Sequence, residues 1–169
     1  MLGKSSHDML AQAEQGIQAK VPQELQTALQ KVLNAGATIL YSPKLSAQLK
    51  QKIAATTDPV KDASEGAARM ISNLYQQSNK TIPVALIVPA AMILAFEYLD
   101  LVAKAGKAQI TPQMIAQTTT AVGDTVLPLF GVTKDKLAQM VAQAKSQGGT
   151  AQPAAPAPAG IIGSAQAGA

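Results

Sequence analysis

The sequence contains no cysteine and no tryptophan, one histidine (His7) and one arginine (Arg69). The lack of cysteine excludes disulfides and thiolate metal sites. With a single histidine and acids that do not cluster, a zinc site has no complete ligand set. No serine or threonine has a histidine partner in a suitable position, and no Gly-Lys-Ser/Thr phosphate loop occurs. The sequence therefore predicts a protein that is not an enzyme and that holds no metal or cofactor.

Arginine and aromatic side chains, which proteins use to bind nucleic acids, are scarce. The formal net charge is +4, and the basic residues other than Arg69 are lysines scattered along the chain. Nucleic-acid binders usually cluster basic residues on one face, and they stack bases on aromatic rings. Three tyrosines and two phenylalanines are the only aromatic residues. We expect at most non-specific contact with nucleic acid.

Alternating runs of β-branched residues, which are typical of strands, are also missing. A capping residue followed by proline recurs instead, and this pair is typical of a helix start. Apolar side chains at helical spacing follow each pair. The predicted fold class is an all-α helical bundle of six to seven helices. These helices are predicted to start near Ser6, Pro22, Pro43, Pro59, Ile82, Pro112 and Lys134.

The composition changes near the end of the sequence. From residue 149 onward the chain consists mainly of Ala, Pro, Gly and Gln, without a charged side chain. Such a segment cannot bury enough apolar surface to order itself. The sequence therefore predicts a helical domain over residues 1–148 and a flexible Ala/Pro/Gly-rich tail over residues 149–169.

One long apolar run dominates the chain. Ile82 to Phe96 carries no charged or polar side chain in fifteen residues. As a helix it is about 22 Å long, against about 30 Å for a bilayer core. A membrane span would therefore continue to Val102 and carry Glu97 and Asp100, and its insertion free energy would be near zero. Both a buried central helix and a helix that inserts conditionally fit this segment.

The central helix carries two sets of candidate functional residues, and Pro89 is predicted to kink it. The apolar set is predicted to form a membrane-inserting surface or an oligomer core, and comprises Ile82, Val84, Leu86, Ile87, Val88, Ile93, Leu94 and Phe96. The polar set, Glu97, Asp100 and Lys104, shares one face, and its two acids are predicted to point at water, at a lumen or at Lys104. Asp100 and Lys104 are spaced to form an i, i+4 ion pair.

Self-association is expected from the same segment. A helix that is apolar all round must be covered on every side, and one short chain of Ala-rich helices offers little cover. We therefore predict a symmetric homo-oligomer, in the form of a ring.

Three parts of the chain together resemble a known class of protein. They are the Ala/Gln-rich amphipathic helices from Ser6 to Lys80, the apolar "TIPVALIVPAAMILAFEYL", and the tail after Gly148. In these parts the chain resembles the small ejection or internal-core proteins in the virions of short-tailed bacteriophages. The resemblance implies a virion protein that contacts other virion proteins and is ejected into the host envelope. There it would oligomerise, meet the host membrane and help to form a channel for DNA.

Two alternatives remain open. The first is a soluble, cytoplasmic helical assembly or adaptor protein without a membrane role, and the second is a small cellular pore-forming protein. The degree to which its own chain covers the central helix discriminates between the virion protein and the soluble protein. A helix wrapped by its own chain favours the soluble protein, whereas an open face requires a partner or a membrane.

Overall fold

The computed structural model of the chain describes residues 5–133 and 135. Its secondary structure in this part of the chain is entirely helical, which confirms the all-α fold class. The predicted seventh helix near Lys134 and the predicted tail over 149–169 lie outside the described residues. The six helices are α1 (Ser6–Gln18), α2 (Gln23–Leu40), α3 (Pro43–Ala55), α4 (Pro59–Gln77), α5 (Val84–Lys104) and α6 (Pro112–Leu129).

Helices α4 and α6 begin as the capping pairs predict. The Asp58 side chain accepts a hydrogen bond from the backbone N–H of Lys61 at 3.0 Å, and Thr111 caps α6 in the same way. Each such bond satisfies one of the backbone donors that a helix start leaves free. Pro22 and Pro83 precede the first helical residue instead of occupying it. As a result, α2 begins at Gln23, and α5 begins two residues after the predicted Ile82.

Helix α5 ends in a Schellman motif. Gly106 has a φ of +69°, a left-handed conformation that glycine adopts without steric cost. Its N–H donates to the carbonyl of Ala103 at 2.9 Å, and the N–H of Lys107 donates to the carbonyl of Val102 at 3.1 Å. The chain therefore turns sharply after Lys104. Lys107 therefore lies beyond the end of the helix.

Helix α5 is the central element and contacts α1, α2, α4 and α6. Its neighbour α2 approaches closely at Gly36, where an added Cβ would lie 2.4 Å from a terminal methyl carbon of Leu94. The ends of α4 and α6 meet where the rings of Tyr75 and Phe130 pack edge to face, with centroids 5.1 Å apart. Near the other end of the bundle, the hydroxyl of Ser6 accepts a hydrogen bond from the N–H of Ile110 at 3.3 Å.

Buried alanines are frequent in α4 and α5, two helices that pack against each other. Ala63, Ala67 and Ala68 of α4 are buried, as are Ala90, Ala91 and Ala95 of α5. Alanines at such positions let two helix backbones approach and pack densely. The larger fully buried side chains of α5 are Phe96, Leu86, Ile87, Leu94 and Leu99. In the described residues the core is thus built from aliphatic side chains and alanine, with Phe96 and Tyr98 as its buried aromatic residues.

Helix α3 lies at the edge of the bundle and packs mainly on α2. Among the described side chains of α3, Ile53 is buried. Two polar contacts near its end tie it to α4. Lys52 forms an ion pair with Asp62 at 3.8 Å, and Thr56 donates a hydrogen bond to the same carboxylate at 2.5 Å.

Candidate functional site

The predicted apolar set lies mostly inside the bundle. Ile82, Leu86, Ile87, Ile93, Leu94 and Phe96 are buried, and Val88 is half-buried. Val84 differs, because it lies in the first turn of α5 and is 62% exposed. Twelve of the 21 residues of α5 are buried by the chain itself.

Helix α5 is also the one helix in the described part of the chain that is long and apolar enough to cross a membrane. The helix runs without interruption through Pro89. The length and composition of this helix are therefore compatible with a membrane span. Its burial, however, is typical of the core helix of a bundle.

The predicted polar set lies at the carboxyl end of α5, where its members meet residues from α1 and α2. Lys104 Nζ lies 2.5 Å from Asp100 Oδ2, which confirms the predicted i, i+4 ion pair. The pair raises the pKa of Lys104, chiefly through the hydrogen bond with Asp100. Asp100 is only 7% exposed, and His7 of α1 reaches its other oxygen, with Nδ1 at 3.3 Å from Oδ1.

Glu97 accepts a hydrogen bond from the residue that follows the neighbouring helix α2. The hydroxyl of Tyr41, the residue that follows α2, donates a hydrogen bond to Glu97 Oε2 at 2.9 Å. Burial and this bond raise the pKa of Tyr41 to about 12, so the hydroxyl stays a donor at any physiological pH. Tyr41 thereby fixes the end of α2 against α5.

Glu14 of α1 adds a third carboxyl group to this end of the bundle. Burial raises its pKa to about 7, and the charges of Glu97 and Asp100 act in the same direction, while His7 acts against them. A carboxyl group that shares a site with other carboxylates holds its proton to a higher pH. We call Glu14, Glu97, Asp100, His7 and Lys104, together with Tyr41, the charged cluster.

The charged cluster contains residues that the sequence did not reveal. The side chain of His7 is 69% exposed, and it also contacts Asp100. Glu14 and Tyr41 were not singled out at all. Glu14 lies among apolar positions of α1, and this position was the sequence signal that could have identified it. Tyr41 had no such signal, because only the packing of α2 against α5 brings it to Glu97.

The chemistry that the charged cluster supports is proton binding and ion pairing. Among residues 5–133 and 135, no group of three or more His, Asp or Glu side chains is arranged to hold a metal ion. The cluster joins α1 and α2 to the end of α5 through side-chain contacts.

A cavity of about 520 Å³ lies beside the charged cluster, between α3, the end of α2 and the end of α5. Leucines, an isoleucine and alanines form most of its wall, and three lysines, Lys50, Lys104 and Lys107, also line it. A second cavity of about 440 Å³ lies between α2, the end of α4 and the start of α5.

Comparison of the chain with protein-family models, with curated proteins and with solved structures found no match.

Proposed function

We propose that the protein is a non-enzymatic helical assembly or adaptor protein that acts through contacts of its outer surface with other proteins. Its apolar helix α5 stays inside its own chain. The observation that carries this proposal is the cover of α5 by α1, α2, α4 and α6. A helix that its own chain already buries needs neither lipid nor a second copy to hide its apolar side chains.

The free energy of opening the bundle supports this proposal. For α5 to enter a bilayer, the surrounding helices would have to release it and expose their inner faces to water. Those faces carry the fully buried Leu10, Leu29, Ile71, Val122 and Val126. Exposing five such side chains costs on the order of 10 kcal/mol, which equals the stability of a whole domain. The insertion free energy of α5, which is near zero, does not offset this cost.

The cover of α5 by its own chain removes the main reason for expecting a ring-shaped homo-oligomer. That prediction assumed that one chain supplies too little cover for the central segment. The large exposed apolar residues in the described part of the chain are Tyr41, Val84 and Leu129. Contacts with other proteins, or between copies, are proposed to use such outer positions.

The virion protein that reaches the host envelope is the second candidate function. The observation that favours it is the length and apolar character of α5. In this case a partner or the ejection process would supply the free energy that opens the bundle. Mass spectrometry of purified bacteriophage particles tests this candidate, since it requires the chain to be packaged in them.

Vesicle flotation tests the first candidate. The folded protein is mixed with vesicles of zwitterionic lipid, or of zwitterionic and anionic lipid, and centrifuged through a density gradient. We expect the protein to stay in the aqueous fraction with its helical circular dichroism unchanged. Flotation of wild type with both kinds of vesicle would contradict the proposal.

Val84→Asp is the matched control for this experiment. Val84 is exposed at the start of α5, so the variant should fold like wild type. If α5 inserts, a charge at this position should reduce flotation, because charged side chains are costly in the bilayer. If α5 remains in the core, wild type and variant should behave alike.

A further inference from the structure

The cavity of about 520 Å³ between α3 and the end of α5 has the character of a small-molecule site. We propose that it binds one molecule of a free fatty acid, an amphiphile with a single hydrocarbon chain and a carboxylate. The hydrocarbon chain lies in the cavity, and the carboxylate meets the lysines that line it. This inference goes beyond the proposed function, which concerns contacts with other proteins.

The cavity wall suits a hydrocarbon chain. Leu40, Leu49, Ile53 and Leu101 contribute to it from three different helices. Small-molecule sites have volumes of about 300 to 1,000 Å³ and are mostly apolar, with a few polar groups that orient the ligand. This cavity matches that description in both volume and lining.

The charges at the cavity select an anion. Lys50, Lys104 and Lys107 line it, and none of the lining residues is acidic. Lys104 is already paired with Asp100. Within residues 5–133 and 135, Lys50 and Lys107 form no ion pair, so both ammonium groups are available to a ligand. Gly106 contributes indirectly, because the Schellman turn brings Lys107 back beside Lys104.

The type of cation and the size of the cavity favour a fatty acid over a membrane phospholipid. Arginine, whose planar fork matches phosphate oxygens, is absent from the lining. A phospholipid also has two chains, and one cavity of this size would leave the second chain in water.

The second cavity provides an internal comparison. It has a volume of about 440 Å³ and is lined by a single charged residue, Lys31. It is therefore similar in size but has a lower positive charge. If size and apolar character alone decided binding, both cavities would bind the same ligand.

The test is a titration of the full chain with carboxyl-labelled dodecanoate, below its micelle concentration, followed by carbon NMR of the labelled carboxyl group. We expect saturable binding of one molecule per chain. The double variant Lys50→Gln, Lys107→Gln should weaken binding about tenfold or more, because it removes both charge-assisted contacts. Lys31→Gln, the control at the second cavity, should leave the affinity within about twofold of wild type.

A second pair of variants fills space without changing charge. Ala54 is exposed on α3 and lines the cavity, whereas Ala47 is exposed on α3 and does not line it. Ala54→Phe should block binding, and Ala47→Phe should not. Because both alanines are exposed, both variants should keep the stability of wild type.

Three results would overturn the proposal. The first is equal binding of dodecanol and dodecanoate, which would mean that the lysines do not recognise the carboxylate. The second is a loss of affinity in Lys31→Gln but not in the double variant. The third is binding to anionic vesicles without binding of free dodecanoate. Absence of dodecanoate binding would leave the proposed assembly function untouched, since flotation tests that function separately.

Discussion

The two parts of α5 are buried in different ways. From Leu86 to Phe96 the helix lies among apolar side chains of its neighbours, and its small residues let α4 pack closely against it. From Glu97 to Lys104 it still carries buried positions, such as Leu99 and Val102, but its acids meet polar groups of α1, α2 and α5 itself. The first part is stabilised by packing, and the second part needs specific partners as well.

This difference decides how each part responds to a change. In the apolar part a new charge has no partner, so its full desolvation cost appears in the stability. In the charged part, the neighbours of a removed charge can interact with solvent or with one another. The loss of stability is therefore smaller than in the apolar part. Variants in the two parts should therefore differ in both the size and the pH dependence of their effects.

Leu94→Asp should have the largest effect. Leu94 is fully buried against Gly36, and the residue at i+4 is Tyr98, which cannot neutralise a carboxylate. The loss should exceed about 4 kcal/mol and unfold the domain. Urea denaturation followed by circular dichroism measures it. Leu94→Ala, which leaves only a cavity, should cost about 3 kcal/mol, and a wild-type midpoint for Leu94→Asp would contradict the burial of α5.

Asp100→Asn should have an intermediate effect. The variant keeps the shape of the side chain but removes the charge that pairs with Lys104 and His7. We expect a loss of about 1 to 2 kcal/mol at neutral pH. Glu97→Gln is the control, because its amide oxygen can still accept from Tyr41, and it should cost less than about 0.5 kcal/mol. The order of the two variants in urea denaturation checks the prediction, and a reversed order contradicts it.

Glu14→Gln should change the pH dependence of stability. The pKa of Glu14 is about 7 in the folded chain, against 4.5 for an unperturbed glutamate. Between these values the folded state binds more protons than the unfolded state, so the contribution of Glu14 to stability falls as pH rises. Below about pH 4.5 the group is neutral in both states, and above about pH 7 the full cost is present.

The variant should therefore be more stable than wild type by about 1 kcal/mol at pH 8, after allowance for solvent screening of a partly exposed group. At pH 4 the two should be equally stable. Denaturation at both pH values measures the difference. Glutamine and glutamate have similar helix propensities, so the helix itself is not altered. A variant that is less stable than wild type at pH 8 would mean that Glu14 is favourably paired when ionised.

Tyr98→Phe should have the smallest effect. The Tyr98 hydroxyl is buried, and among the described residues it has no hydrogen-bond partner. Removing a buried polar group without a partner should leave stability unchanged or raise it by up to about 1 kcal/mol. Thermal unfolding detects such a shift. A loss of more than about 1 kcal/mol would show that the hydroxyl is hydrogen-bonded in the folded protein.

The helices could be predicted from the sequence because their signals are local. The side chains of Asp58 and Thr111 accept hydrogen bonds from backbone N–H groups three residues later in the chain. Asp100 pairs with Lys104, which lies one turn further along the same helix. Such contacts depend on spacing along one helix. The start of α5 was displaced by two residues, since Pro83 can stand at the position before the helix as well as within it.

The charged cluster could not be predicted because its members come from distant parts of the chain. His7 is 93 residues from Asp100, and Tyr41 is 56 residues from Glu97. Their contacts follow from how α1 and α2 pack on α5, which hydrophobic periodicity alone does not determine. The same holds for the cover of α5, which the sequence left open between protein and lipid.

Cysteine labelling tests most directly whether α5 is closed inside its own chain. The natural sequence has no cysteine, so a single introduced thiol reports on one position. Val84 is 62% exposed and Ile93 is 3% exposed on the same helix. We predict that a maleimide labels Val84→Cys rapidly and Ile93→Cys at least about 100-fold more slowly, with and without lipid vesicles, because the second thiol reacts only when the bundle opens. Equal labelling rates at the two positions in water would contradict the burial of α5 by its own chain.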